Sequence, residues 1–132
     1  MKVKSIDSQT AWKKYQQTST ALLIDVRSSM EFLFVGHPKK ALNIAWIDEP
    51  DWIINPDFTA EITQACGGDK SRAVILICRS GVRSLEAGNY LLTQGFKQVY
   101  NVLDGFEGDL DNHHQRSTVN GWRFHQLPWE QC

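Results

Sequence analysis

The chain has 132 residues, of which 42% are hydrophobic, a formal net charge of -1 and three cysteines. That length suits one domain with a core large enough to do without metal or disulfide staples. The balance excludes a basic field for nucleic acid, an acidic tail and a disulfide framework, and no apolar run approaches a membrane span. An odd cysteine count fits a reducing compartment. The opening stretch, MKVKSIDSQTAWKKYQQ, lacks the apolar run of a signal peptide. The expected location is the cytoplasm.

Taken in order, VKSID (3–7) predicts a short strand. Asp7 or Ser8 can cap a helix over SQTAWKKYQQ, with Ala11, Trp12 and Tyr15 on one face. ALLIDVR (21–27) is nearly all apolar, the mark of a strand covered on both sides. SSMEFLFVG predicts a short helix, with Ser28 and Glu31 at capping-box spacing and Gly36 ending it. ALNIAW (41–46) predicts another strand. IDEPDWIINPDF (47–58) reads as loop, and DFTAEITQAC as a helix stopped by Gly67 and Gly68. RAVILIC (72–78) is the strongest strand signal. A helix over 83–94 follows, then a strand over QVYNVL (98–103). Alternating strands and helices argue for a parallel sheet with helices on both faces. Residues 1–111 form that unit, and 112–132 read as an irregular tail packing on the same domain.

Cys78 ends the strongest strand, and RSGVRS follows it. In an open parallel sheet, ligands bind beyond the carboxyl ends of the strands. Gly81 lets main chain approach a ligand closely, and successive N–H groups in such a turn can form an anion-binding nest. The next helix adds unpaired N–H groups and the positive end of its dipole. With Arg79 and Arg83 nearby, these features favour the thiolate, the nucleophilic form. A cysteine ending an apolar strand is ordinarily inert core. The six residues that follow make a poor core and a good cradle for an anion.

Cysteine phosphatases and some arsenate reductases place an arginine six positions after the cysteine. Here that position is Ser84, and the arginine comes one earlier, at Arg83. The tighter ring suits a sulfur atom better than a tetrahedral phosphate.

At this point the chain resembles the rhodanese-like sulfurtransferases, over residues 18 to 110. CRSGVRS (78–84) matches the family's active-site loop. LLIDVRSSMEFLFVGH (22–37) is similar to its opening signature, and GFKQVYNVLDGFEGD (95–109) to its closing strand and turn. The family usually has Gly-Gly where this chain has Asp104-Gly105, and often Gly where it has Lys40.

The resemblance implies a three-layer α/β/α fold with a mostly parallel five-stranded sheet. It implies that Cys78 takes the outer sulfur of thiosulfate or a related donor and passes it, as a persulfide, to a thiophilic acceptor, a cellular thiol or protein among the candidates. Main-chain N–H groups of Arg79, Ser80, Gly81, Val82 and Arg83 would hold the persulfide, and the two arginines would hold the anionic donor. Asp25, Arg27 and His37 would be structural: Asp25 accepting from a nearby loop, His37 holding a turn. The plain alternative for Arg27 is a surface ion pair worth about 1 kcal/mol at most. No metal or organic cofactor is implied. A non-catalytic docking module and a phosphatase are the competing functions.

Two further expectations concern aromatic and terminal residues. In the plainer account GWRFHQLPW, with Trp122 and Trp129, packs over the sheet as an extra lid; in the sharper one Trp46 and Trp52, in the loop leaving the ALNIAW strand, rim the site's mouth and help select the acceptor. Cys66 reads as buried, and Cys132, at the terminus, as mobile.

Overall fold

The computed structural model describes residues 2–48 and 51–132. Glu49 and Pro50, read from sequence as part of a loop, lie outside the described residues. The elements run β1 (Lys4–Ile6), α1 (Ser8–Gln17), β2 (Leu22–Asp25), a π-helix (Glu31–Val35), β3 (His37–Pro38), β4 (Leu42–Asn43), β5 (Ile47–Asp48), β6 (Ile53–Ile54), α2 (Phe58–Ala65), β7 (Ala73–Ile77), α3 (Val82–Thr93), β8 (Gln98–Val102) and β9 (Trp129–Glu130).

Five strands form one parallel sheet in the order β1-β8-β7-β2-β4. All five residues of β7 are buried, because helices cover both faces. The two-residue period sorts them. Val74 and Leu76 pack with Phe58 and Ile62 of α2 and Ala87 and Leu91 of α3. Ala73, Ile75 and Ile77 pack with Ala11 of α1 and with Trp122. Cys78 continues the first set, so it faces α3 at the carboxyl end of the central strand.

Asp7 caps α1 by accepting from the Thr10 N–H at 2.8 Å. That main-chain bond holds the Asp7 carboxyl below its usual range. The capping box also forms: the Ser28 hydroxyl accepts from the Glu31 N–H at 3.2 Å and donates to its carboxylate at 3.1 Å. The segment after it is wider than an ordinary helix, a π-helix over Glu31–Val35. No helix among the described residues is long and apolar enough to cross a membrane.

Two local expectations change, and one departure from the family pattern shows its geometry. The strand expected over 41–46 shrinks to Leu42–Asn43, although Ile44 and Trp46 still donate to the main chain of Asp25 and Val26 at 3.0 Å. The stretch read as loop contains a short antiparallel ribbon, β5 with β6. Lys40 adopts φ +71, the left-handed turn conformation for which glycine is the easy choice.

The tail packs closely on this frame. Trp122 is fully buried, sits edge-on to Trp12 at 5.7 Å and donates from Nε1 to the Pro128 carbonyl at 2.9 Å. β9 pairs antiparallel with β3. Cys132 is exposed, yet its N–H donates to Leu33 O at 3.1 Å, so the terminus is tethered where sequence position suggested mobility.

Candidate active site

The loop after β7 turns back toward the start of α3 through Gly81, whose φ is +97. A methyl group there would lie 2.2 Å from Leu103 O, so the loop is pressed against the turn that follows β8. That turn grips the loop's base. Phe106 N–H donates to Cys78 O at 2.8 Å, and Glu107 N–H to Arg79 O at 2.9 Å. Asp104, a departure from the Gly-Gly that the family resemblance leads one to expect, anchors the turn. Its carboxylate accepts from the Ser8 N–H, the Ser8 hydroxyl and the Gly121 N–H, each at 2.9 Å. The departure at this position therefore adds a tie between the start of α1, the turn and the tail.

Within this frame Cys78 is only 1% exposed, but its surroundings are not those of an inert core thiol. Its Sγ accepts from Gly81 N–H at 3.2 Å and Ser84 N–H at 3.4 Å, and lies 3.2 Å from the Ser84 hydroxyl. The main-chain donors reaching the sulfur are thus those of Gly81 and Ser84. The N–H groups of Arg79, Ser80, Val82 and Arg83 make no bond to Sγ itself among the described residues. Ser84 is fully buried, and its hydroxyl also meets Asn101 Oδ1 at 2.5 Å.

Beside the loop opens a cleft of about 630 Å³. Arg79, Arg83 and Arg116 line it with Glu31, Glu107, Val35 and Trp52. Three guanidinium groups against two carboxylates make it suited to a small anion. Cys78, 1% exposed, contributes no wall to this cleft. Arg83 is held rather than free. Its two terminal nitrogens donate to the two Glu31 oxygens at 2.8 and 2.9 Å. Burial pushes the Glu31 carboxyl up, but the bonds and charge of Arg83, the charge of Arg27 and the Ser28 hydroxyl outweigh it, leaving that carboxyl below its ordinary 4.5. The same Glu31 bonds raise Arg83.

That depression sets a pH prediction. A carboxyl whose pKa is lower folded than unfolded contributes stability above the unfolded value and loses it as pH falls through the folded value. The stability difference between the unaltered chain and Glu31→Gln should therefore be steady well above pH 4.5 and shrink progressively as pH falls below it toward the lower folded value, read from urea midpoints across pH 3–7.

Asp25 and Arg27 form no surface pair. Both side chains are fully buried, joined through Nε to Oδ1 at 2.9 Å and Nη2 to Oδ2 at 2.6 Å. Arg27 Nη2 also donates to Gly36 O at 2.6 Å, and the guanidinium lies 4.8 Å from the Phe106 ring centre. Asp25 accepts from Arg27 itself, side chain and main chain, where a neighbouring loop was expected. His37 stacks on Phe32 at 3.6 Å and donates from Nδ1 to Phe32 O at 2.7 Å, which holds the end of the π-helix. Trp46 is 3% exposed and packs against Phe58, so only Trp52 of that pair reaches the cleft. Burial pushes the Cys66 thiol up, away from the reactive form.

Ser84 and Asn101 stand closest to the sulfur's chemistry without having been singled out from sequence. The available signal was Asn101 itself, an amide inside the apolar strand QVYNV.

Comparison with known proteins decides the family. The sequence model of the Rhodanese-like domain matches residues 8–112. The chain belongs to the rhodanese-like domain family. It is 32% identical over 108 residues to the thiosulfate sulfurtransferase GlpE of Haemophilus influenzae, covering 82% of this chain and 89% of that one. It is 34% identical over 131 residues to an uncharacterized protein of Rickettsia conorii, covering 98% and 99%. Among solved structures, that of Rv0390 from M. tuberculosis matches with a TM-score of 0.87 and 36% identity over the full length of both chains. A rhodanese-like fold, with its mostly parallel five-stranded sheet, is therefore this chain's fold.

Proposed function

We propose that this rhodanese-like chain is a sulfurtransferase that carries sulfane sulfur on Cys78. One observation bears most of the weight: the N–H groups of Gly81 and Ser84 point at one sulfur at the end of a central strand, with the Ser84 hydroxyl oxygen also within 3.2 Å of it. Family membership and the similarity to a thiosulfate sulfurtransferase support the same reading.

The chemistry balances without a cofactor. The Cys78 thiolate attacks the outer sulfur of thiosulfate. A sulfur–sulfur bond forms at Cys78 as the donor's own breaks, and sulfite departs with the electron pair. Cys78 then carries a persulfide anion. An acceptor such as cyanide or a thiolate attacks its outer sulfur, and the Cys78 thiolate returns. The first-turn N–H groups of α3 have no carbonyl partner within their own helix, and those that make no bond to Sγ would serve the outer sulfur. Arg79 and Arg116 in the cleft attract the donor and steady the leaving sulfite. The proposed setting is the cytoplasm, with a small anionic donor and a thiol or protein acceptor.

Phosphate chemistry fits less well. A phosphate in the ring would need the guanidinium of Arg83, and Glu31 already holds both of its terminal nitrogens.

Incubation with thiosulfate followed by intact-mass measurement tests the proposal. The chain should gain one sulfur, roughly 32 Da, reversed by cyanide or reductant. Cys78→Ser should gain nothing. Absence of the gain in the unaltered chain would instead favour a docking role for the domain.

A further inference from the structure

We propose that Asn101 is a positioning residue: by turning its side-chain amide, it sets whether the Ser84 hydroxyl gives its hydrogen to Cys78. This inference rests on the sulfurtransferase reading and extends it.

The geometry contains a conflict over one hydrogen. Ser84 Oγ lies 3.2 Å from Cys78 Sγ and 2.5 Å from Asn101 Oδ1. A serine hydroxyl has a single hydrogen and cannot donate to both. Ser84 is fully buried and Asn101 is 1% exposed, so water has little access to settle the matter. On its far side, Asn101 Nδ2 lies 3.2 Å from the hydroxyl of Ser5, on the edge strand β1.

With a neutral thiol every group is satisfied in one way. Cys78 S–H donates to Ser84 Oγ, Ser84 O–H donates to Asn101 Oδ1, and Asn101 Nδ2 donates to Ser5 Oγ. A thiolate or persulfide has no hydrogen at Sγ, so Ser84 must turn its own toward the sulfur. Its lone pairs then face Asn101 Oδ1 at close range. A half-turn of the amide resolves this: Nδ2 donates to Ser84 Oγ, and Oδ1 accepts from the Ser5 hydroxyl. An amide presents a donor and an acceptor of nearly the same shape, so both states fit the same space. A carboxylate can only accept and would hold the Ser84 hydrogen away from the sulfur. A leucine can do neither and would leave Ser84 free to turn.

Apart from the carboxylate that Asn101→Asp itself introduces, the charged groups around Cys78 do not vary in this comparison. They are Arg79 in the loop, Arg83 at the start of α3, Glu31 bound to Arg83, and the Asp25–Arg27 pair at the end of β2. The Gly81 and Ser84 N–H groups serve the sulfur in both states.

The test reads alkylation of Cys78 by iodoacetamide against pH in the full chain, located by peptide mass. It needs no thiosulfate, so it is independent of whether sulfur transfer occurs. Loss of a hydrogen bond to an anion should slow alkylation of Asn101→Asp roughly tenfold at pH 7 and move its pH midpoint upward. Asn101→Leu should react at least as fast as the unaltered chain. In a Ser84→Ala background only the charge of the carboxylate remains to act on the sulfur, so the aspartate should slow alkylation much less than it does with Ser84 present. Unchanged alkylation in Asn101→Asp, equal slowing in Asn101→Leu, or an aspartate effect of undiminished size in Ser84→Ala would each overturn the proposal.

A measurement on the unaltered chain covers variants that fail to fold. The two Nδ2–H resonances of Asn101 should shift on persulfidation with thiosulfate and return on adding cyanide. Resonances that stay fixed while the mass rises by one sulfur would overturn the role of Asn101 and leave sulfur transfer standing. No mass gain, together with the predicted alkylation order, would do the reverse.

Discussion

Replacing Arg27 by Met should destabilise the chain by about 3–5 kcal/mol, the usual cost of stranding one member of a buried ion pair. The Asp25 carboxylate, fully buried, would keep only the Arg27 main-chain N–H among its present hydrogen bonds. The Gly36 carbonyl would lose its guanidinium donor at the same time. The attraction within such a pair largely offsets the cost of drying it, so the pair as a whole contributes little. Asp25→Leu combined with Arg27→Met should therefore recover much of the loss. Urea unfolding reads both. With a slope of about 1–3 kcal/mol/M, the single variant's midpoint should fall by roughly 2 M, and the double variant's by much less. A double variant as unstable as the single one would mean that Arg27 works mainly through Gly36 O and its packing on Phe106.

Gly81→Ala should be the most damaging small change in the loop. Two effects add. At φ +97 a side chain is strained by about 1–3 kcal/mol. Its methyl would also fall 2.2 Å from Leu103 O, and main chain must move to make room, at a further cost of about 1–3 kcal/mol. Gly68 provides the control. It has φ +82, and a methyl there meets nothing within 4 Å. Gly68→Ala should show the strain alone, so the difference between the two variants measures the clash. Gly81→Ala should also lose sulfur uptake from thiosulfate, because the displaced loop carries one of the N–H groups aimed at Sγ. Equal stabilities for the two variants would show that the 103–105 turn yields easily.

Legibility in the sequence followed the range of the interactions. α1, α3 and β7 were readable because periodicity, caps and bounding glycines are local: α1 has its expected bounds, and α3 and β7 differ from theirs by one residue at each end. The thiol and its loop were readable for the same reason: strand, cysteine and cradle lie within a dozen positions. Ribbons of two residues were not. β3 and β9 are about ninety positions apart, and neither His37–Pro38 nor Trp129–Glu130 carries a pattern that names its partner. The π-helix was half legible: Ser28 and Glu31 announce the start of a helix, but its widened turn has no marker in the sequence.

Arg27 illustrates how burial misleads. An arginine after a strand ordinarily reaches water. Here Phe106 covers its guanidinium, Trp129 covers Phe106 edge-on, and Arg123 lies over both rings. None of those neighbours is near it in the chain. Asn101 was missed for a related reason: its interest comes from Ser84, seventeen positions earlier on another element.

The layering over Arg27 carries a consequence for how the domain is delimited. The span recognisable as the family stops at residue 112, yet Trp122 and Trp129 roof one side of the sheet from beyond that limit. A fragment cut at the homology boundary would keep the thiol and its loop while opening the cover over Phe106 and the ion pair to solvent. The span matched by the family model and the span that covers the ion pair are different lengths of this polypeptide.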